Sequence, residues 1–134
     1  MQLLNYNAIE VVQILVSIFF SIVFFQSGID KIIERDGNIA FFEYHFNKTP
    51  LRSVTALMLT ILTILELTVA AMCFLGCFNI LIYRNSVFIF YGLILCAIVL
   101  LLLLFGQRIA KDYVGAADIT IYFILCIITI MSFK

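Results

Sequence analysis

Polar residues are scarce along this chain and cluster between four long apolar runs. The runs cover about Ala8 to Ile29, Leu51 to Phe78, Ser86 to Phe105 and Tyr113 to Phe133. Each has roughly the 20 residues that cross the hydrocarbon core of a bilayer as a helix. A spanning segment must satisfy its own backbone hydrogen bonds, and these runs are too long and too uniformly apolar for barrel strands. The pattern predicts an all-α integral membrane four-helix bundle, one domain over residues 1–134.

Short connections after the second and third runs predict antiparallel neighbours. The first connection, Asp30 to Pro50, is longer. Within it "GNIAFFEYHFNKTP" sets Ile39, Phe42 and Phe46 on one helical face. That spacing predicts a short amphipathic helix in the first loop, lying in the interface or folded over the bundle mouth. Pro50 stands near the start of the second span, where its missing N–H does least harm.

Composition fixes the solvent. The chain is 65% hydrophobic and 12% charged, with a mean hydropathy of +1.20. Soluble domains are about 45–50% apolar and about 25% charged, and a single core of this size could not bury the excess. The partner is therefore a lipid bilayer. Net charge is zero and no basic run is present, so nucleic acid is not an expected partner. The first run lacks a basic segment before it and a small-residue cleavage site after it, so we expect a span and not a signal peptide. Lys31, Arg35, Lys48, Arg52, Arg108 and Lys111 fall in loops one and three, against Arg84 and Lys134 opposite. The positive-inside rule then places those two loops in the cytoplasm and both termini in the periplasm.

Ionisable residues at membrane depth are costly, about 2.5–3.5 kcal/mol on insertion scales, and so are informative. Glu66 is the clearest, on a stripe with Thr55, Leu59, Cys73 and Cys77, bordered by Thr63 and Ala70. A matching stripe of Gln13, Ser17, Ser21, Gly28 and Lys31 runs along the first span. If these two spans pair, Gln13 and Ser17 are expected to hydrogen-bond Glu66. Glu66 is then either a proton- or ligand-binding carboxyl or a neutral acid locked into a helix contact. Lys111, Gly115, Asp118, Tyr122 and Thr129 form a third stripe, with Asp118 within reach of Lys111 or Arg108. Lys31, Arg108, Lys111, Asp112 and Asp118 are thereby expected to form a polar cluster at the cytoplasmic-side mouth. Asp118 then acts there or simply closes a salt-bridged helix end.

The four cysteines lie in apolar runs, where a thiol behaves as a small hydrophobe. Cys73 and Cys77 are four apart, which is neither a redox C-x-x-C nor a favourable disulfide geometry in a helix. His45 is the only histidine, which removes multi-His metal sites and bis-His haem from one chain. No metal site and no resident cofactor are expected.

Three segments carry a family resemblance: "FFQSGIDKI", "LELTVAAMCFLG" and "FGQRIAKDYVGAA". Gly28 with Lys31, the acid at Glu66, and the turn Gly106 to Arg108, in this order, resemble the DoxX-like family of small four-helix bacterial inner-membrane proteins. The full "GQRIAKDYVGAA" form looks like versions found in Bacteroidota. The resemblance implies an inner-membrane protein, often linked to redox systems. Relatives include the small subunit of a thiosulfate:quinone oxidoreductase, and eukaryotic members act as cargo receptors or assembly chaperones. The chain departs from redox-active relatives in lacking their paired-cysteine motif. The first expectation is a non-catalytic accessory or assembly subunit that binds other membrane subunits. Two alternatives are a redox or quinone-linked protein using Glu66 with Asp118, and a small-solute or lipid carrier lidded by "IAFFEYHF".

Overall fold

The computed structural model describes residues 2–3, 6–45, 47, 54–83 and 85–133. Gln2–Leu3 (β1) pairs antiparallel with Tyr6–Asn7 (β2), and five helices follow. These are α1 (Ala8–Ile33), α2 (Arg35–His45), α3 (Thr55–Tyr83), α4 (Val87–Ile109) and α5 (Tyr113–Met131). Four of them are long and apolar enough to cross a bilayer, with α2 the exception. The protein is an all-α, multi-pass membrane protein.

Helix ends are set by identifiable side chains. Asn7 caps α1 through its side chain to the Glu10 N–H, and Glu10 reaches back to the Asn7 N–H. This capping box satisfies two of the N–H groups a helix start leaves unpaired. At the other end α1 stops at Glu34, where the Asn38 side chain donates to the carbonyls of Asp30 and Glu34. Residues 30–33, expected in a loop, instead extend α1, and α2 begins one residue after its cap. Arg35 ties α2 to α3 by donating from Nη2 to Thr60 Oγ1 at 2.8 Å. Of the face expected from Ile39, Phe42 and Phe46, Ile39 is half-buried; the Phe42 side chain and Phe46 lie outside the described residues.

The turn between α4 and α5 is a helix stop with both Schellman hydrogen bonds. Asp112 N–H donates to Gln107 O at 2.8 Å and Lys111 N–H to Arg108 O at 3.2 Å. The motif requires a left-handed residue at its penultimate position, usually glycine. Lys111 occupies it with φ 61°. Asp112 then caps α5 by accepting from the Gly115 N–H at 3.1 Å.

Around the bundle, α1 packs on α3, α3 on α4 and α4 on α5. Phe20, Phe24, Val69, Leu93 and Leu100 are buried at its centre. Outward-facing Leu15, Ile22, Leu57, Ile64, Ile98 and Ile128 are exposed, as lipid-facing positions are. α1 meets α5 mainly towards the end where Gln13 Nε2 donates to Ser132 Oγ at 2.9 Å. Between α3 and α4 the approach is closest near their connecting turn, where Gly76 lies against Ile89 and Gly92 against Cys73.

Candidate functional site

The pairing of α1 with α3 decides what Glu66 meets. Ser21 Oγ donates to Ala70 O, Cys77 Sγ donates to Ile14 O, and Gly28 lies against Leu67. A Cβ on Gly28 would stand 2.5 Å from Leu67 Cδ2, so glycine is what lets the two helices close here. Next to Leu67 in the chain, Glu66 is fully buried.

Lys31 supplies its counter-charge. Lys31 Nζ lies 3.1 Å from Glu66 Oε2 and 3.2 Å from Oε1, and donates to Ser27 Oγ at 2.8 Å. Ser27 in turn donates to Glu66 Oε2 at 2.8 Å. Ser27 and Lys31 are one turn apart on α1, so a single helix face presents both to the carboxylate. Three donated hydrogen bonds and one opposite charge offset the desolvation of a carboxylate in the bilayer.

This places the two sequence-predicted sites differently from expectation. Gln13 and Ser17 do not approach Glu66. Gln13 is bonded to Ser132, and the Ser17 hydroxyl is buried without a partner among the described residues. Thr63 turns its hydroxyl back to Leu59 O at 2.7 Å. The cause is register: α1 runs to Ile33 and α3 to Tyr83, which slides Glu66 past Gln13 by several turns towards the α1 C-terminus. Lys31 therefore belongs with Glu66, an association that separate stripes on separate spans do not reveal. Ser27 carried one legible signal, its spacing of four from Lys31.

The polar cluster expected at the mouth is partly dispersed. Asp118 is exposed and has no hydrogen bond or ion pair with a described residue. Arg108 is exposed and stacks over the Tyr113 ring, 4.7 Å from its centroid, and Lys111 is exposed. The reason is the rotation of α5. Its buried positions are Ala116, Cys126 and Thr129, which turn Asp118 outward. Gly115 lies against the turn, where a Cβ would stand 2.5 Å from Asp112 Oδ2 and 2.7 Å from Gln107 Nε2. Asp112 alone of the loop-three ionisable residues shares a space with Lys31.

That space is a cavity of about 520 Å³. Ser27, Lys31, Thr55, Glu66, Gln107 and Asp112 form its polar part. Met58 and Leu62 of α3, Leu102 and Leu103 of α4, Ile119 of α5 and Phe41 of α2 make the rest apolar. Ile61, Leu102 and Phe105 line it and are exposed, so the cavity is open beside α3 and α4. The helices held together at Gly76 and Gly92 leave this room further along. Its size falls within the 300–1,000 Å³ of small-molecule sites.

The cysteines gather elsewhere. All four are buried and free, and Cys77 donates to Ile14 O. Cys126 also donates to Leu93 O at 3.2 Å. Among the described residues, no three His, Cys, Asp or Glu side chains converge as metal ligands. No family model matches this chain, and no curated protein and no solved structure matches it.

Proposed function

We propose that this chain is a DoxX-like protein of a bacterial inner membrane that holds a lipid-soluble small molecule in the cavity between α3 and α4. The observation that carries the reading is the Lys31–Glu66 pair, 3.1 Å apart, on the wall of a largely apolar 520 Å³ cavity. Well-packed apolar residues commonly replace a buried ion pair with no loss of stability, so stability alone is weak grounds for one. Intramembrane charges that border a cavity instead mark ligand or ion pathways. An apolar body fits against Met58, Leu62 and Leu103, and the polar wall orients a head group. In this reading the chain is a carrier or receptor with no chemistry of its own, and the lidding segment contributes Phe41. The cationic loops face the cytoplasm, which puts the cavity mouth on the cytoplasmic leaflet.

Native membranes extracted into lipid nanodiscs provide the test. Mass spectrometry of the organic extract should find one small molecule enriched with the wild-type protein and lost with Leu103→Trp, which fills the cavity. Identical extracts from the two proteins refute the reading.

An accessory-subunit role is the second reading, favoured by Asp118. This carboxylate is exposed five residues into α5 and has no partner among the described residues, which suits a cation on another membrane subunit. Loss of a co-purifying subunit on Asp118→Asn is the outcome this role requires.

A further inference from the structure

The cavity wall holds hydrogen-bond acceptors that no described donor satisfies. The Lys31 ammonium is engaged within its own cluster, by Ser27 Oγ and by both oxygens of Glu66. The Ser27 hydroxyl proton is likewise directed to Glu66 Oε2.

Acceptors do remain. A carboxylate offers about four lone-pair sites, and Glu66 receives three bonds. Gln107 Oε1 is buried beside the cavity without a hydrogen-bond partner among the described residues. Its amide nitrogen is turned to the α5 turn, 2.7 Å from where a Cβ on Gly115 would stand. Asp112 uses Oδ1 on the Gly115 N–H, and no described donor reaches its Oδ2. Charge points the same way: among the described lining residues two carboxylates face one ammonium, and Arg108 and Lys111 are exposed beyond the cavity lining. A buried acceptor without a donor costs about 1–3 kcal/mol, so a donor that reaches Gln107 is favoured there.

We infer that the cavity takes an amphiphile whose head group donates hydrogen bonds and is neutral or cationic, a hydroxyl or an ammonium, and discriminates against anionic head groups. The inference rests on the cavity being a ligand site and adds the chemistry of what it accepts. It separates a neutral lipid alcohol from a fatty acid of equal length.

Three probes with one C12 tail isolate the head group: dodecanol, dodecylamine and laurate. Each is titrated against the full chain in a mild detergent, and native mass spectrometry counts adducts on the wild type and on Leu103→Trp. We expect one saturable adduct with dodecanol and with dodecylamine, absent in Leu103→Trp. Laurate should bind at least about tenfold more weakly, the equivalent of one lost hydrogen bond to a charged group. Gln107→Leu, which removes the orphan acceptor, should weaken dodecanol about tenfold by the same measure. Laurate binding as tightly as dodecanol, and sensitive to Leu103→Trp, overturns the head-group assignment while leaving a ligand cavity in place. Adducts that never saturate, or that are unchanged in Leu103→Trp, overturn the cavity reading itself and this inference with it.

Discussion

Lys31 and Glu66 sit 35 residues apart in sequence and 3.1 Å apart in space, at the seam between α1 and α3. Only 1% of the Glu66 side chain and 12% of the Lys31 side chain are exposed. Each charge is therefore held by the other and by Ser27, and neither has bulk water to fall back on.

Removing one partner should cost far more than removing both. Lys31→Met leaves a buried carboxylate without its counter-ion and should destabilise the fold by about 3–5 kcal/mol. The double variant Lys31→Met, Glu66→Met replaces the pair with apolar packing and should recover most of that loss. Unfolding in mixed micelles measures both, and additive losses in the double variant contradict the coupling.

Close approach at Gly28 is the condition for that pair. Gly28→Val drives a side chain into Leu67 and should cost about 1–3 kcal/mol by overpacking. Leu67→Ala in the same chain should relieve part of it. A Gly28→Val protein as stable as wild type shows that the helices have slack at this point.

Lys111 carries the backbone strain of the α4–α5 turn, with its φ of 61°. The left-handed region costs a residue with a Cβ about 1–2 kcal/mol, and a β-branched side chain more. Lys111→Gly should raise stability by about 1 kcal/mol, while Lys111→Val should lower it by at least as much. Thermal melts of the purified variants should give that order: Gly, Lys, Val.

Asp118, in contrast, is outside the cavity and without a partner among the described residues. Asp118→Leu should leave dodecanol binding unchanged and keep stability within about 0.5 kcal/mol of wild type, or improve it in lipid. A fall in probe binding would place the residue in the site after all.

The thiols give a test of the packed core. Cys73, Cys96 and Cys126 are fully buried and Cys77 nearly so. None should react with a maleimide polymer in the folded protein, and all four should react after denaturation. Labelling of Cys96 or Cys126 before unfolding would show that α4 and α5 part under native conditions.

The apolar runs determine, from the sequence alone, that four helices cross a bilayer, because lipid excludes any segment that cannot satisfy its own backbone. The same periodicity marks Glu66 as the anomalous residue of its span and puts Gly28 and Lys31 on one face. It does not say which residue reaches which. The register of α1 on α3 depends on where each helix ends, and those ends hang on local bonds such as Asn38 to the Asp30 carbonyl. A shift of a few turns in register carries Glu66 from Gln13 to Lys31. The facing of α5 was equally out of reach of its own sequence. On an isolated helix Asp118 and Ala116 could each face inward, and the packing of α5 on α4 buries Ala116 and leaves Asp118 exposed. Cavity, ion pair and unpaired acceptor all follow from how the helices meet. Spacing within one helix constrains a face, while only packing between helices assigns that face a neighbour.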